Sequence, residues 1–161
     1  MVALSMLFAS CKKSSSPAPA SSSIPINGWK LGANSYTSVY VARMGPTGSM
    51  GTSVSLAALD ALPTGTGMNI CTVYFSTYPT ADGTFHVATV GSAITLTGSQ
   101  IGVTAEIGAT STYYASTGLD GVDATVTLVG GKLKVVIPEI WVKNPAGTDS
   151  LKLSGTILQN Q

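Results

Sequence analysis

The sequence predicts an all-β protein, and three observations support this class. Apolar and polar residues alternate at period two through residues 101–107 and 122–128, a pattern that places one face of a strand in a core and the other in water. Turns rich in glycine separate these segments, and 20 Ser and 20 Thr supply most of the polarity. We expect an antiparallel β-sandwich of about nine or ten strands, with a closed lipocalin-like barrel as the alternative.

The expected strands follow one another at short intervals. Before the last forty or so residues they lie near residues 29–31, 36–43, 52–58, 68–77, 84–90, 101–107 and 111–115. Residues 56–62 include helix formers, but hydroxyl and β-branched residues precede them, which favours a strand that ends in a loop. Gly98-Ser99 has the glycine-first order of a type II′ hairpin turn between residues 94–97 and the next strand.

The pattern of turns and alternating residues in the C-terminal part predicts a three-stranded meander. Gly130-Gly131 forms a two-residue hairpin loop that requires positive φ, and residues 144–147 close a longer hairpin. Between these turns the inward-facing set changes parity at Pro138-Glu139. Because proline cannot donate to a ladder, we expect a β-bulge or an edge position there.

The N-terminal residues have a different composition. The apolar stretch 2–9 is too short to span a bilayer but has the length of a signal-peptide core. It ends in Phe8-Ala9-Ser10-Cys11, and a Ser/Pro-rich segment follows. The Phe8–Cys11 sequence resembles the lipobox of bacterial lipoproteins, and the segment after it is similar to lipoproteins of the Bacteroidetes type. The resemblance implies a signal peptide at 1–10, a lipidated tether at 11–26 and one small β-domain at 27–161.

The same resemblance implies a location in the cell envelope. Lipid on Cys11 would anchor the chain to the outer membrane, and two or three acyl chains make such anchoring stable. Lys12 and Lys13 have no acidic neighbour, which leaves both the periplasmic and the surface leaflet open. A flexible tether of this length spans about 20 to 25 Å on average, so the domain would stay near its membrane.

Full charges are scarce, which excludes several classes of function. Eight Lys or Arg and seven Asp or Glu make up 9% of the chain, compared with about 25% in ordinary domains. No basic cluster is present to neutralise several phosphates, so nucleic acid is not an expected partner. One His and two Cys do not complete the usual zinc site, and no metal or cofactor is expected.

No catalytic motif is present, and a non-enzymatic function is expected. Cys71 shares an apolar strand face with its neighbours, which predicts a buried, unreactive thiol. The single imidazole, His86, is predicted on the outer face of its strand. The alternative is a hydrolase in which folding brings Glu106, Asp120 or Asp123 within about 10 Å of another acid in a cleft.

The strongest candidate site is aromatic. If Ile140 and Val142 point inward after the bulge, then Glu139, Trp141 and Lys143 face solvent. An exposed indole beside polar groups suits contact with a sugar ring or an apolar patch of a partner. We therefore expect a binding or scaffolding module for neutral glycans or for an envelope protein. A carrier of a small apolar ligand inside a lipocalin-like barrel is the alternative.

Replacing the proposed lipid-bearing cysteine tests the predicted anchor. We expect Cys11→Ala to move the protein from the membrane fraction to the soluble fraction, because the acyl chains have no other attachment point. Fractionation followed by immunoblotting measures this, with Cys71→Ala as the control that stays with the membrane. Membrane association of Cys11→Ala equal to that of the wild type contradicts the prediction.

Overall fold

The computed structural model describes residues 25–46, 53–63, 67–91, 94–108, 110 and 112–161. All regular structure in those ranges is β-strand, which confirms the predicted class, and eleven strands join in one hydrogen-bonded sheet. The strands are β1 (Gly28–Leu31), β2 (Asn34–Thr37), β3 (Tyr40–Met44), β4 (Val54–Leu59), β5 (Asn69–Phe75), β6 (Gly83–Val87), β7 (Gln100–Ile107), β8 (Thr112–Ser116), β9 (Asp123–Val129), β10 (Lys132–Lys143) and β11 (Ser150–Leu158).

The predicted C-terminal meander is confirmed. Strand β10 pairs antiparallel with β9 on one side and with β11 on the other. Gly130 and Gly131 have φ angles of 59° and 78°, the left-handed conformation that this hairpin requires. The β10–β11 register shifts between Ile137 and Ile140, so the bulge lies at Pro138-Glu139 as predicted.

The sheet closes on itself. Its strand order is β2-β1-β11-β10-β9-β6-β7-β5-β4-β3, and β8 pairs with both β7 and β10, so that β6, β7, β8, β10 and β9 form a closed five-stranded circuit. After β11, the backbone N–H of Asn160 donates to Val41 O at 3.0 Å, and Asn160 Oδ1 accepts from Val41 N–H at 2.8 Å. These bonds bring β3, the far end of the strand order, beside the end of β11. The closed circuit corresponds to the barrel alternative.

Side chains fill the interior. One cluster of buried apolar residues collects from β1, β3, β4, β5 and β6 to β11. Its largest fully buried members are Trp29, Phe75, Leu56, Ile101, Leu133, Ile137, Ile140, Leu153 and Ile157. The alternation that predicted the strands is therefore the alternation between this core and the outer face.

One row of cross-strand neighbours shows how the sheet accommodates the Trp29 side chain. Ile137, Gly155, Trp29 and Tyr36 lie side by side on β10, β11, β1 and β2. The Trp29 and Tyr36 rings stack with centroids 4.1 Å apart. A Cβ on Gly155 would lie 2.9 Å from Trp29 Cβ and 3.3 Å from Gly28 O. Glycine at position 155 therefore makes the space that the indole occupies.

Two expectations differ from the structure. Residues 36–43 were expected as one strand, but β2 and β3 are separate because the chain changes partner: Ser38 N–H donates to Asn27 O, and Val39 N–H donates to Leu59 O. The hairpin expected at Gly98-Ser99 is also wrong. Residues 94–97 form no strand, the φ of Gly98 is not positive, and β7 instead pairs parallel with β6.

The space at Gly155 predicts a specific loss of stability. We expect Gly155→Ala to lower the free energy of unfolding by about 1–3 kcal/mol, because the added methyl group overpacks against Trp29 and backbone. Urea denaturation monitored by circular dichroism measures the change. Gly98→Ala is the matched control, since no atom lies within 4 Å of its Cβ position. Equal stability of the two variants contradicts this account of the row.

Candidate functional site

The candidate site lies where the hydrogen-bond ladder between β7 and β10 is interrupted. Along one edge, β7 pairs with β6 at residues 100–101 and with β8 at residues 104–107. The facing edge of β10 pairs with β9 at residues 132–136 and with β8 at residues 142–143. Strand β8 and the β6–β9 pair thus fill different halves of the space between β7 and β10. Backbone N–H and C=O groups at the break between these halves need other hydrogen-bond partners.

Side chains from the end of β8 and the following loop supply those partners. The Ser116 hydroxyl accepts from Val103 N–H at 3.2 Å and donates to Ala88 O at 2.6 Å. Asp120 Oδ2 accepts from Trp141 N–H at 2.6 Å. Ser116 is 1% exposed, so its bonds lie out of water, where an unmade hydrogen bond costs most. The end of β8 is therefore fixed to β7, and the loop after it is fixed to β10.

The structure orients Glu139, Trp141 and Lys143 outward, as the sequence predicts. All three are exposed, whereas Ile140 and Val142 are 1% and 0% exposed. The bulge at Pro138-Glu139 shifts the parity and so directs the indole to solvent instead of to the core.

The Lys152 ammonium group packs against the exposed indole of Trp141. Lys152 lies directly opposite Trp141 on β11, and its Nζ is 4.4 Å from the ring centroid. The same Nζ lies 3.6 Å from Glu139 Oε1 and 3.8 Å from Asp120 Oδ1. The ammonium thus contacts a π face and two carboxylates, which restricts the side chains around Trp141. Trp141 nevertheless keeps 41% of its surface exposed.

Two adjoining depressions, of which the smaller is lined by Trp141, are together termed the Trp141 groove. Their volumes are about 550 and 300 Å³, and they share Thr117, Leu119 and Lys143. The full lining is Thr89, Val90, Gly91, Tyr113, Ala115, Ser116, Thr117, Leu119, Trp141, Lys143, Asn144, Pro145 and Ser150. Lys152 is not in this set.

The lining combines apolar surface with neutral polar groups. Trp141, Tyr113, Leu119 and Val90 supply apolar and aromatic area, and hydroxyl and amide groups supply hydrogen-bonding atoms. Among the described lining residues Lys143 carries the single full charge. Such a surface can stack on the apolar face of a ring and bind hydroxyl groups without desolvating a carboxylate.

Sequence reasoning missed Leu119, which is 79% exposed at the mouth of the groove. The available signal was its position in Gly118-Leu119-Asp120-Gly121, a large apolar residue within a glycine-flanked turn. Both glycines have positive φ, and the Asp120 bond to β10 holds the turn in place. Glu139, by contrast, contacts Lys152 and does not line the groove.

The remaining candidate groups lie apart from the groove. Cys71 is fully buried, and burial raises the pKa of its thiol to about 12, so the expectation of a buried thiol is confirmed. His86 is exposed on the outer face of β6, where its Nδ1 lies 3.1 Å from Asp123 Oδ1. No group of three or more His, Cys, Asp or Glu suited to a metal ion is found in the described ranges.

Of the three acids named for the hydrolase alternative, Asp120 lies near another acid, Glu139. Asp123 instead pairs with His86, and Glu106 lines a different depression. Asp120 and Glu139 contact the same Lys152 Nζ, so two carboxylates are close. Asp120 is engaged by Trp141 N–H, Glu139 is largely exposed, and neither lines either depression of the groove. They form an ion-pair network around the indole, with a cation between the two acids.

No family model matches the chain, and neither the curated proteins nor the solved structures contain a significant match. Cys11 and the lipobox lie outside the described residues. Within the described ranges no helix is long and apolar enough to cross a membrane.

Proposed function

We propose that this chain is a non-enzymatic, lipid-anchored protein of the cell envelope that binds a neutral glycan in the Trp141 groove. The observation that carries the proposal is the exposed indole of Trp141 at the edge of an apolar, hydroxyl-lined depression. Lipid on Cys11 would anchor the chain to the outer membrane, and the segment 11–26 would connect the anchor to the domain. An envelope protein with a matching apolar patch is the second candidate ligand.

The chemistry of the lining supports a neutral ligand. Sugar rings present an apolar face that stacks on indole and phenol rings, and their hydroxyl groups bond to Ser, Thr and Asn side chains. Desolvating hydroxyl groups costs less than desolvating ions. The single cation, Lys143, stands at the groove with no carboxylate among the described lining residues. Binding is therefore expected to depend little on ion pairs.

Restriction of the indole supports the same proposal. A binding site loses less conformational entropy when its anchor side chain is already held in place. Lys152 contacts the Trp141 ring, and Asp120 bonds to the Trp141 backbone. Anchors of this kind, aromatic and partly enclosed, commonly carry much of the binding energy at an interface.

The filled interior favours an outer site over the lipocalin-like carrier. Inward side chains such as Phe75, Ile101 and Leu133 are 0–1% exposed and pack in one cluster. The Trp141 groove instead collects outward residues of β8 and β10 and the loops beside them. A carrier for an apolar ligand would need this core to open.

Removing the indole tests the proposed site. In a glycan-array screen of the full chain, followed by titration of a neutral oligosaccharide hit, we expect Trp141→Ala to weaken binding about tenfold or more. Val136→Ala is the matched control, because Val136 is also outward on β10, is 39% exposed and lies outside the groove. Wild-type affinity should persist in about 1 M salt, where the Debye length falls to about 3 Å.

Three results contradict the proposal. One is unchanged affinity of Trp141→Ala for the oligosaccharide, which places binding elsewhere. Another is a set of array hits that high salt abolishes, because ion pairs then supply the binding energy. An array that returns no hit for the wild type also contradicts the glycan assignment, and it leaves the envelope-protein candidate for pull-down with the same two variants.

A further inference from the structure

A second cavity lies on the outer face of β4, β5 and β7. Sheet surfaces that face solvent usually alternate between buried and exposed residues, but every residue of β4 after Val54 is buried. On β7 the outward-facing Thr104 is only 3% exposed. This face carries a partly open cavity of about 370 Å³, a volume within the range of small-molecule sites. We term it the Glu106 cavity, with Leu59, Ile70, Tyr74, Thr104, Glu106 and Tyr113 among its lining residues.

Strand register brings the carboxylate beside apolar and aromatic surface. Glu106 on β7 lies directly between Ile70 on β5 and Tyr113 on β8. Residues opposite each other on adjacent strands have side chains on the same face, within contact distance. The Glu106 carboxylate therefore has an aliphatic side chain on one side and a phenol ring on the other.

Two phenols near Glu106 stay neutral. Burial raises the pKa of Tyr113 to about 12, although a hydrogen bond with Thr104 opposes the shift. Burial also raises the pKa of Tyr74, and here too a hydrogen bond with Thr104 opposes the shift. The negative charge of Glu106 contributes to both shifts, less than burial does. The cavity thus carries two neutral phenols, and one negative charge on Glu106, which is itself exposed to solvent.

That negative charge has no protein counter-ion in the described ranges. The ion pairs found there use Asp120, Asp123 and Glu139, and none uses Glu106. No Lys or Arg is among the described residues that line the cavity. A carboxylate beside a phenol ring and aliphatic walls is complementary to an organic cation, which gains from the charge and from the π face together.

We propose that the Glu106 cavity binds a small organic cation, an ammonium group carried on an apolar chain or ring. The ammonium contacts the Glu106 carboxylate and the Tyr113 ring, and the apolar part lies against Leu59 and Ile70. This site differs in charge from the Trp141 groove, and its occupancy does not depend on the function proposed for that groove. Tyr113 lines both sites, so it is unsuitable for separating them.

Three probes of equal chain length test the charge requirement. Hexylammonium, hexanol and hexanoate are titrated into the full chain, and binding is followed by calorimetry. We expect hexylammonium to bind about tenfold or more tightly than hexanol, since a hydrogen bond to a charged partner is worth more than one between neutral groups. Hexanoate should not bind, because its charge repels Glu106.

Substitution of the carboxylate by its isosteric amide assigns the effect to one residue. Glu106→Gln should weaken hexylammonium binding about tenfold and leave hexanol binding unchanged, which also shows that the cavity remains folded. Glu139→Gln is the matched control, because it removes an outer-face acid elsewhere on the sheet. Trp141→Ala should leave hexylammonium binding unchanged, whereas it weakens the oligosaccharide, so the two proposals fail independently.

Three outcomes overturn the proposal. If wild-type protein binds hexanol as tightly as hexylammonium, the cavity selects apolar shape and not charge. If Glu106→Gln retains full affinity for hexylammonium, the cation binds at another acid. If no probe binds saturably, the cavity does not accept a ligand of this size and charge.

Discussion

The hydrogen bonds that Ser116 and Asp120 make with β7 and β10 are the constraint on which the outer surface depends. Backbone pairing closes the five-stranded circuit but leaves a break in the ladders, because β8 and the β6–β9 pair fill separate halves of the space between β7 and β10. Val103 N–H and Trp141 N–H receive side-chain partners at the break. An unpaired buried N–H such as that of Val103 costs about 1–3 kcal/mol, and the segment from Ser116, at the end of β8, to Asp120 supplies both acceptors. In doing so it also presents Leu119 and frames Trp141.

The scarcity of charge gains meaning once the charges are located. Asp120, Glu139 and Lys152 form one network that surrounds an indole, and Lys143 stands at the groove beside it. Glu106, by contrast, lines a largely apolar cavity from a solvent-exposed position, without a protein counter-ion among the described residues. The two outer sites therefore differ in kind: one offers neutral hydrogen bonds around an aromatic ring, and the other offers a single negative charge.

Local pattern predicted what depends on neighbours in sequence. The bulge at Pro138-Glu139 and the outward Trp141 follow from a change of parity and from proline chemistry, and Gly130-Gly131 follows from the φ that a tight hairpin needs. The parallel β6–β7 pair did not follow, because the Gly-Ser pair at 98–99 has the composition of a hairpin turn. The Trp141 groove and the Glu106 cavity both combine side chains from strands far apart in sequence. The alternation within one strand does not predict which strands become neighbours. Glu106 carried no signal beyond its outward parity on β7.

Amide hydrogen exchange at Trp141 tests the central constraint most directly. In the wild type the Trp141 amide is predicted to be protected from exchange, because it donates a hydrogen bond to Asp120. No strand pairs with it on that side. In Asp120→Ala its exchange should accelerate about tenfold or more, while the Val126 amide in β9 keeps its rate. Free exchange of the Trp141 amide in the wild type, or equal acceleration at both positions, would contradict the account.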